Sequence, residues 1–169
     1  MNIARTCLTF VALASLSLVL SAQQPAPNPA AKTVTCSLQD GKQVSISFPL
    51  GVEPRKDAPD SNKVWAPGGS PLALSTQVAL HVGGNLIPAG KYSLYFVPGG
   101  SSWTLIVNKN VQAGAAYDSQ QDLVHIDMGS GTVASSHPLN IALYMAAPGE
   151  CDLRIGYGKD ESWTAFNEK

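Results

Sequence analysis

Residues 76–109 read TQVALHVGGNLIPAGKYSLYFVPGGSSWTLIVNK, three short runs in which apolar and polar residues alternate. Alternate side chains point to opposite faces of a strand, so a period of two is a strand signal and excludes a helix here. One face of strand 76–82 carries Thr76, Val78, Leu80 and Val82, and the other carries Gln77, Ala79 and His81. Strand 91–97 aligns Tyr92, Leu94 and Phe96, and strand 102–108 aligns Trp103, Leu105 and Val107. The punctuation is Gly83-Gly84-Asn85, Pro88-Ala89-Gly90 and Pro98-Gly99-Gly100, residue types that supply turn geometry. The stretch predicts an antiparallel β-meander.

The same rhythm recurs at 33–38 and 43–48, joined by a turn at Asp40-Gly41, and at 122–128, 138–145, 151–157 and 162–166. Past the N-terminal apolar run, no stretch of ten residues shows a period of 3.6. The expected architecture is all-β: a single antiparallel β-sandwich of about eight or nine strands. Residues 49–74 interrupt the rhythm with proline and glycine, leaving only a short extended piece around Val64-Trp65. A loop this long inside a compact domain is usually functional or mobile.

The N-terminus has the order of a cleavable secretory signal: Arg5, the apolar run 7–20, then the small residues Ser21 and Ala22. That run of 14 residues falls short of the roughly 20 a bilayer span needs. The expected organisation is a signal peptide at 1–22, a disordered Pro/Ala-rich tether at 23–32 and a domain at 33–169. The expected location is secreted or periplasmic, with no membrane span after cleavage. Cys7 leaves with the signal, and Cys36 and Cys151 remain. Cys36 shares a strand face with Val34 and Leu38, and Cys151 shares one with Leu153, Ile155 and Tyr157. In an oxidising compartment the two are expected to form a disulfide, the alternative being two separate buried thiols. A net charge of −1 without a basic run argues against nucleic acid and anionic membrane surfaces as partners.

Several pieces carry a resemblance in their order: KVW at 63–65, IPAGKYSLYFVPG at 87–99, WTLIVNK at 103–109, GAAYDSQQDLV at 114–124 and LRIGYGKDESWTAF at 153–166. Together they resemble a bacterial family of exported proteins, the domain of unknown function 2911. The resemblance implies a secreted or periplasmic single-domain β-sandwich and no assigned reaction. After KVW the family continues with an arginine and a Gly-Ala-Asn-Glu type segment. This chain has Ala66-Pro67-Gly68-Gly69-Ser70-Pro71 instead, so no catalytic residue carries over.

The residues single out no cofactor and no catalytic set. His81, His125 and His137 lack the short-spaced pairing typical of zinc ligands. His125 and Asp127 share a strand face, which allows a local hydrogen bond or a weak metal pair. There is no G-x-S-x-G elbow, and most of the acids, a set that includes Asp118 and Asp122, read as solvated turn residues, the alternative being a working carboxylate pair. The candidate ligand-binding set is Trp65 with Lys63 and Arg55. A tryptophan in a loop bounded by glycine and proline stacks on a sugar or anchors a partner, or it folds back to plug one end of the sandwich, the placement favoured by KVW. Trp103 and Trp163 alternate with apolar residues and are expected in the core.

The resulting expectation is a non-enzymatic binding or interaction module of the bacterial envelope. Its ligand would be a glycan, a small molecule or another envelope protein, met by the 49–74 loop. The alternatives are a hydrolase or metal-dependent enzyme on the same scaffold, and a structural envelope subunit.

Overall fold

The computed structural model describes residues 30–54 and 59–169. The signal peptide read at 1–22, the tether up to residue 29 and Arg55 lie outside the described residues. The strands are β1 Ala31–Ser37, β2 Gln43–Pro49, β3 Leu72–Thr76, β4 Leu80–Val82, β5 Asn85–Ile87, β6 Gly90–Pro98, β7 Trp103–Asn108, β8 Asp122–Asp127, β9 Gly129–Ala147 and β10 Glu150–Glu168. They form two antiparallel sheets, a six-stranded one in the order β1-β2-β3-β6-β7-β8 and a four-stranded one in the order β5-β4-β10-β9. Lys32 and Ala31, placed in the tether by their composition, open β1 instead.

The core lies between the sheets and follows the period of two. Val44, Ile46 and Phe48 of β2, Tyr92, Leu94 and Phe96 of β6, and Trp103, Leu105 and Val107 of β7 all face it. Leu80, Val82, Ile141, Leu153, Ile155 and Phe166 meet them from the smaller sheet. Burying each such side chain stabilises by about 1.5–3 kcal/mol. Cys36 and Cys151 are bonded across the sandwich, joining β1 to β10 over 115 residues of sequence. Closing a loop of that length contributes about 4–5 kcal/mol in the chain-entropy account.

The expected meander needs correction. Residues 76–82 are not one strand: Leu72–Thr76 pairs with β6, while Leu80–Val82 lies in the opposite sheet. The chain turns between them because Thr76 is buried and its hydroxyl donates to the carbonyl of Val78 at 2.7 Å. That local bond ends the ladder and sends the β4–β5 hairpin onto the other sheet. Pro71 had hidden β3, because its strand begins directly behind a residue that reads as loop. The 49–74 loop is correspondingly shorter, spanning residues 50–71.

Strands expected at 151–157 and 162–166 are one, and β9 begins nine residues before the expected 138. Register breaks around Gly156 and Gly158 bend β10 without ending it. They also change which residues face inward. Ser162 and Phe166 are buried, while Trp163, expected in the core, lies outside and is 39% exposed. Its indole covers Gly129 and Gly131 of β9; a side chain added at Gly129 would collide with it, and one at Gly131 would only touch it, while the Arg154 guanidinium borders it at 5.6 Å from the ring centroid. Covering glycine with an aromatic ring on the paired strand restores packing that glycine cannot supply.

Candidate functional site

The outer face of the six-stranded sheet carries one row of residues in cross-strand register. Thr33 pairs with Ser47, Ser47 with Ala73, Ala73 with Ser93, Ser93 with Asn108 and Asn108 with Asp122. The row crosses all six strands and contains no large apolar side chain. Over it runs the loop 109–121, which divides the face into an open half and a closed half.

The open half is a groove of about 360 Å³. Ser47, Ala73 and Ser93 form its floor; Gly69, Ser70 and Pro71 stand on one side and residues 111–115 on the other. The floor is shallow because these positions carry side chains of one or two heavy atoms. The Ser47 hydroxyl lies 2.6 Å from that of Thr33, and the Ser93 hydroxyl donates to the carbonyl of Asn110 at 2.7 Å. Each hydroxyl keeps acceptor capacity for a ligand, since a serine oxygen has two lone pairs. Val111, on the far wall, is 53% exposed.

The closed half is a polar centre around Asp122. Asn108, fully buried, donates to the Asp122 carboxylate at 2.7 Å and to the Asp118 carbonyl at 2.8 Å, and its own carbonyl accepts from Asn110 N–H at 2.8 Å. Tyr117 donates its hydroxyl to Asp122 at 2.5 Å, and His125 Nε2 stands 2.8 Å from the same carboxylate oxygen. Tyr117 packs edge-on against Tyr95, ring centroids 5.0 Å apart. Burial raises the cost of charging Asp122, but the hydrogen bonds from Tyr117, Asn108 and His125 outweigh it and hold the carboxyl below the usual carboxylate range. Burial, reinforced by the Asp122 contact, pushes the Tyr117 phenol well above its ordinary value.

A β-bulge builds this centre. Val107 pairs with Val124 and Asn108 with Asp122, so Leu123 is an extra residue in β8. Without it Asp122 and His125, three apart, would face opposite sides of the sheet; the bulge turns both outward. Asp127, which shares a strand face with His125, accepts from the Thr104 hydroxyl at 3.4 Å. The sequence did contain a signal for the covered face. Tyr95 and Ile106 occupy the nominal solvent side of β6 and β7 yet are large and apolar, and both are buried.

The other candidate residues sit elsewhere. Trp65 is half-buried and joined to β6 by reciprocal bonds, its N–H to the Phe96 carbonyl at 2.7 Å and the Phe96 N–H to its carbonyl at 3.0 Å. Its ring meets Trp103 edge-on at 5.8 Å and Tyr157 at 4.8 Å, so it packs between the two sheets in the position of a plug. Lys63 is exposed and pairs with Asp60 at 2.7 Å. The His137 Nδ1 lies 2.9 Å from the Pro138 carbonyl, and His81 faces Leu86 and Asn167 across its neighbouring strands. Among the described residues no three of His, Cys, Asp and Glu come together as a metal site would require. No helix among them is long and apolar enough to cross a membrane.

Residues 56–162 match the model of a family described as protein of unknown function (DUF2911). The match covers more than half of the chain, and the chain belongs to this family. It takes in the Asp122 centre and the 69–71 and 111–115 sides of the groove but stops short of β1 and β2. No curated protein and no solved structure matches the chain.

Proposed function

We propose that this DUF2911 chain is an exported, non-enzymatic binding module that holds a small, uncharged, hydroxyl-rich ligand in the groove on the outer face of its six-stranded sheet. The observation that carries this reading is the groove floor, Ser47, Ala73 and Ser93 in register between two walls. Its volume of about 360 Å³ falls in the range of small-molecule sites. The lining combines serine hydroxyls and the Gln112 amide with the flanks of Pro49, Pro71, Val111 and Ala113. Such a surface offers hydrogen bonds without fixed charge, and apolar contacts beside them. That suits a neutral polyol or sugar better than an ion.

The disulfide supports export, because such bonds persist in oxidising compartments, and the signal-like N-terminus points the same way. Within the long loop the ligand contact falls on Gly69, Ser70 and Pro71, while Trp65 in the same loop anchors it to the core.

A thermal-shift screen of residues 23–169 against neutral sugars and polyols tests the reading. A ligand at a hundred times its dissociation constant adds about 2.7 kcal/mol of stability. The shift is expected to vanish in Ala73→Trp, which fills the floor, and to survive Lys63→Ala. Loss in Lys63→Ala with retention in Ala73→Trp would move the site to the 60–65 arm.

A further inference from the structure

The groove runs across the strands rather than along them. Its lining comes from Ala31 of β1, Ser47 of β2, Ala73 of β3 and Ser93 of β6, four neighbouring strands of one sheet. Three strand spacings of about 4.8 Å make the floor about 14 Å long. One spacing is close to the length of a pyranose ring along a β-linked chain. The floor carries the Ser47 hydroxyl on β2 and, buried at its far end, the Ser93 hydroxyl on β6, two spacings apart with Ala73 between them. Ala73 is exposed and leaves a gap into which a ring can settle.

Resting on the binding-module reading, we infer that the ligand is a linear, neutral oligosaccharide lying across β1, β2, β3 and β6, and that the groove holds three of its rings. A peptide suits this floor less well. β2, β3 and β6 each pair with a neighbour on both sides, so their backbone groups are committed to ladders. A peptide laid across them would find no free strand edge on which to ladder its obligatory N–H and C=O groups. Sugar hydroxyls both donate and accept, as serine does, and need no such ladder. The walls supply what the other surface of a sugar requires. Pro49, Pro71, Val111 and Ala113 present aliphatic carbon to its C–H groups. At the β6 end the floor closes, because Ser93 is bound to Asn110 at the base of the covering loop. That sets a terminus for one end of the chain.

Isothermal titration with β-1,4-linked gluco- and N-acetylglucosamine oligosaccharides of increasing length tests the inference, with backbone amide shifts recorded alongside. Affinity is expected to rise at least fivefold with each ring up to about three and then level off, following the three strand spacings. Ala73→Trp, whose fold is checked by its amide spectrum, abolishes the gain. Affinity that is the same for a monosaccharide and for the longer chains overturns the linear-chain inference and leaves the binding-module reading standing, provided the groove amides shift. Shifts at these amides with a short neutral peptide, and none with the oligosaccharides, overturn the inference and keep the groove. Groove amides that respond to no sugar, polyol or peptide overturn the inference and the module reading together.

Discussion

The two halves of the outer sheet face share one row of residues and have opposite fates. On the groove side the row is Ser47, Ala73 and Ser93, small enough to leave about 360 Å³ open. On the other side it is Asn108 and Asp122, whose side chains are long enough to reach Tyr117, Asn110 and His125 and draw the loop 109–121 down over them. Extending the polar atoms by one carbon separates the open surface from the closed one. Each short hydroxyl makes a single contact, Ser47 with Thr33 and Ser93 with Asn110, whereas the Asp122 carboxylate collects donors from three segments at once. Ser93 joins the halves, since it lines the groove and also holds Asn110.

Breaking the closed half is expected to have the largest effect. Asp122→Ala removes the shared acceptor of Asn108, Tyr117 and His125 and leaves the buried Asn108 amide underpaired. Unsatisfied buried donors cost about 1–3 kcal/mol apiece, so a loss of about 2–4 kcal/mol in urea denaturation is expected.

Acid acts on the same half more gently. Asp122 titrates lower in the folded chain than in the unfolded one. Its contribution is therefore complete above the unfolded carboxylate value of about 3.9 and disappears as pH falls through the folded value. Between pH 5 and pH 2 the wild type is expected to lose more stability than Asp122→Asn, measured as the difference in urea midpoints. Equal acid sensitivity in the two proteins would mean that the centre contributes nothing through its charge.

The open half should barely register. Ser47→Ala removes one exposed-side hydroxyl contact with Thr33 and is expected to shift stability by no more than about 0.5 kcal/mol, while weakening any ligand that lies on the floor. If Ser47→Ala costs as much as Asp122→Ala, the contrast between the halves fails.

Much of the core was legible in advance. The inward faces of β2, β6 and β7 follow from alternation alone, and Cys36 and Cys151, each on an apolar face, are bonded as expected. Trp163 escaped that logic because irregularities between Gly156 and Asp160 reverse the parity of its strand. The Asp122 centre escaped for the same kind of reason. One extra residue, Leu123, puts Asp122 beside His125, and no local pattern marks it. The groove was invisible because its floor draws on residues 47, 73 and 93, which meet only through pairing.

The sequence by itself determined that this chain makes strands, which side chains each strand offers to a core, and that two cysteines stand ready to join across it. These follow from the period of two, which is a property of the backbone over a few residues. Tertiary structure alone decided that 72–76 and 80–82 belong to different sheets and that six strands align one row of alanine and polar residues. Strand order and register depend on contacts between distant segments, and a shift of one residue would turn every side chain of a strand to the opposite face. The groove exists only because that register holds across four strands.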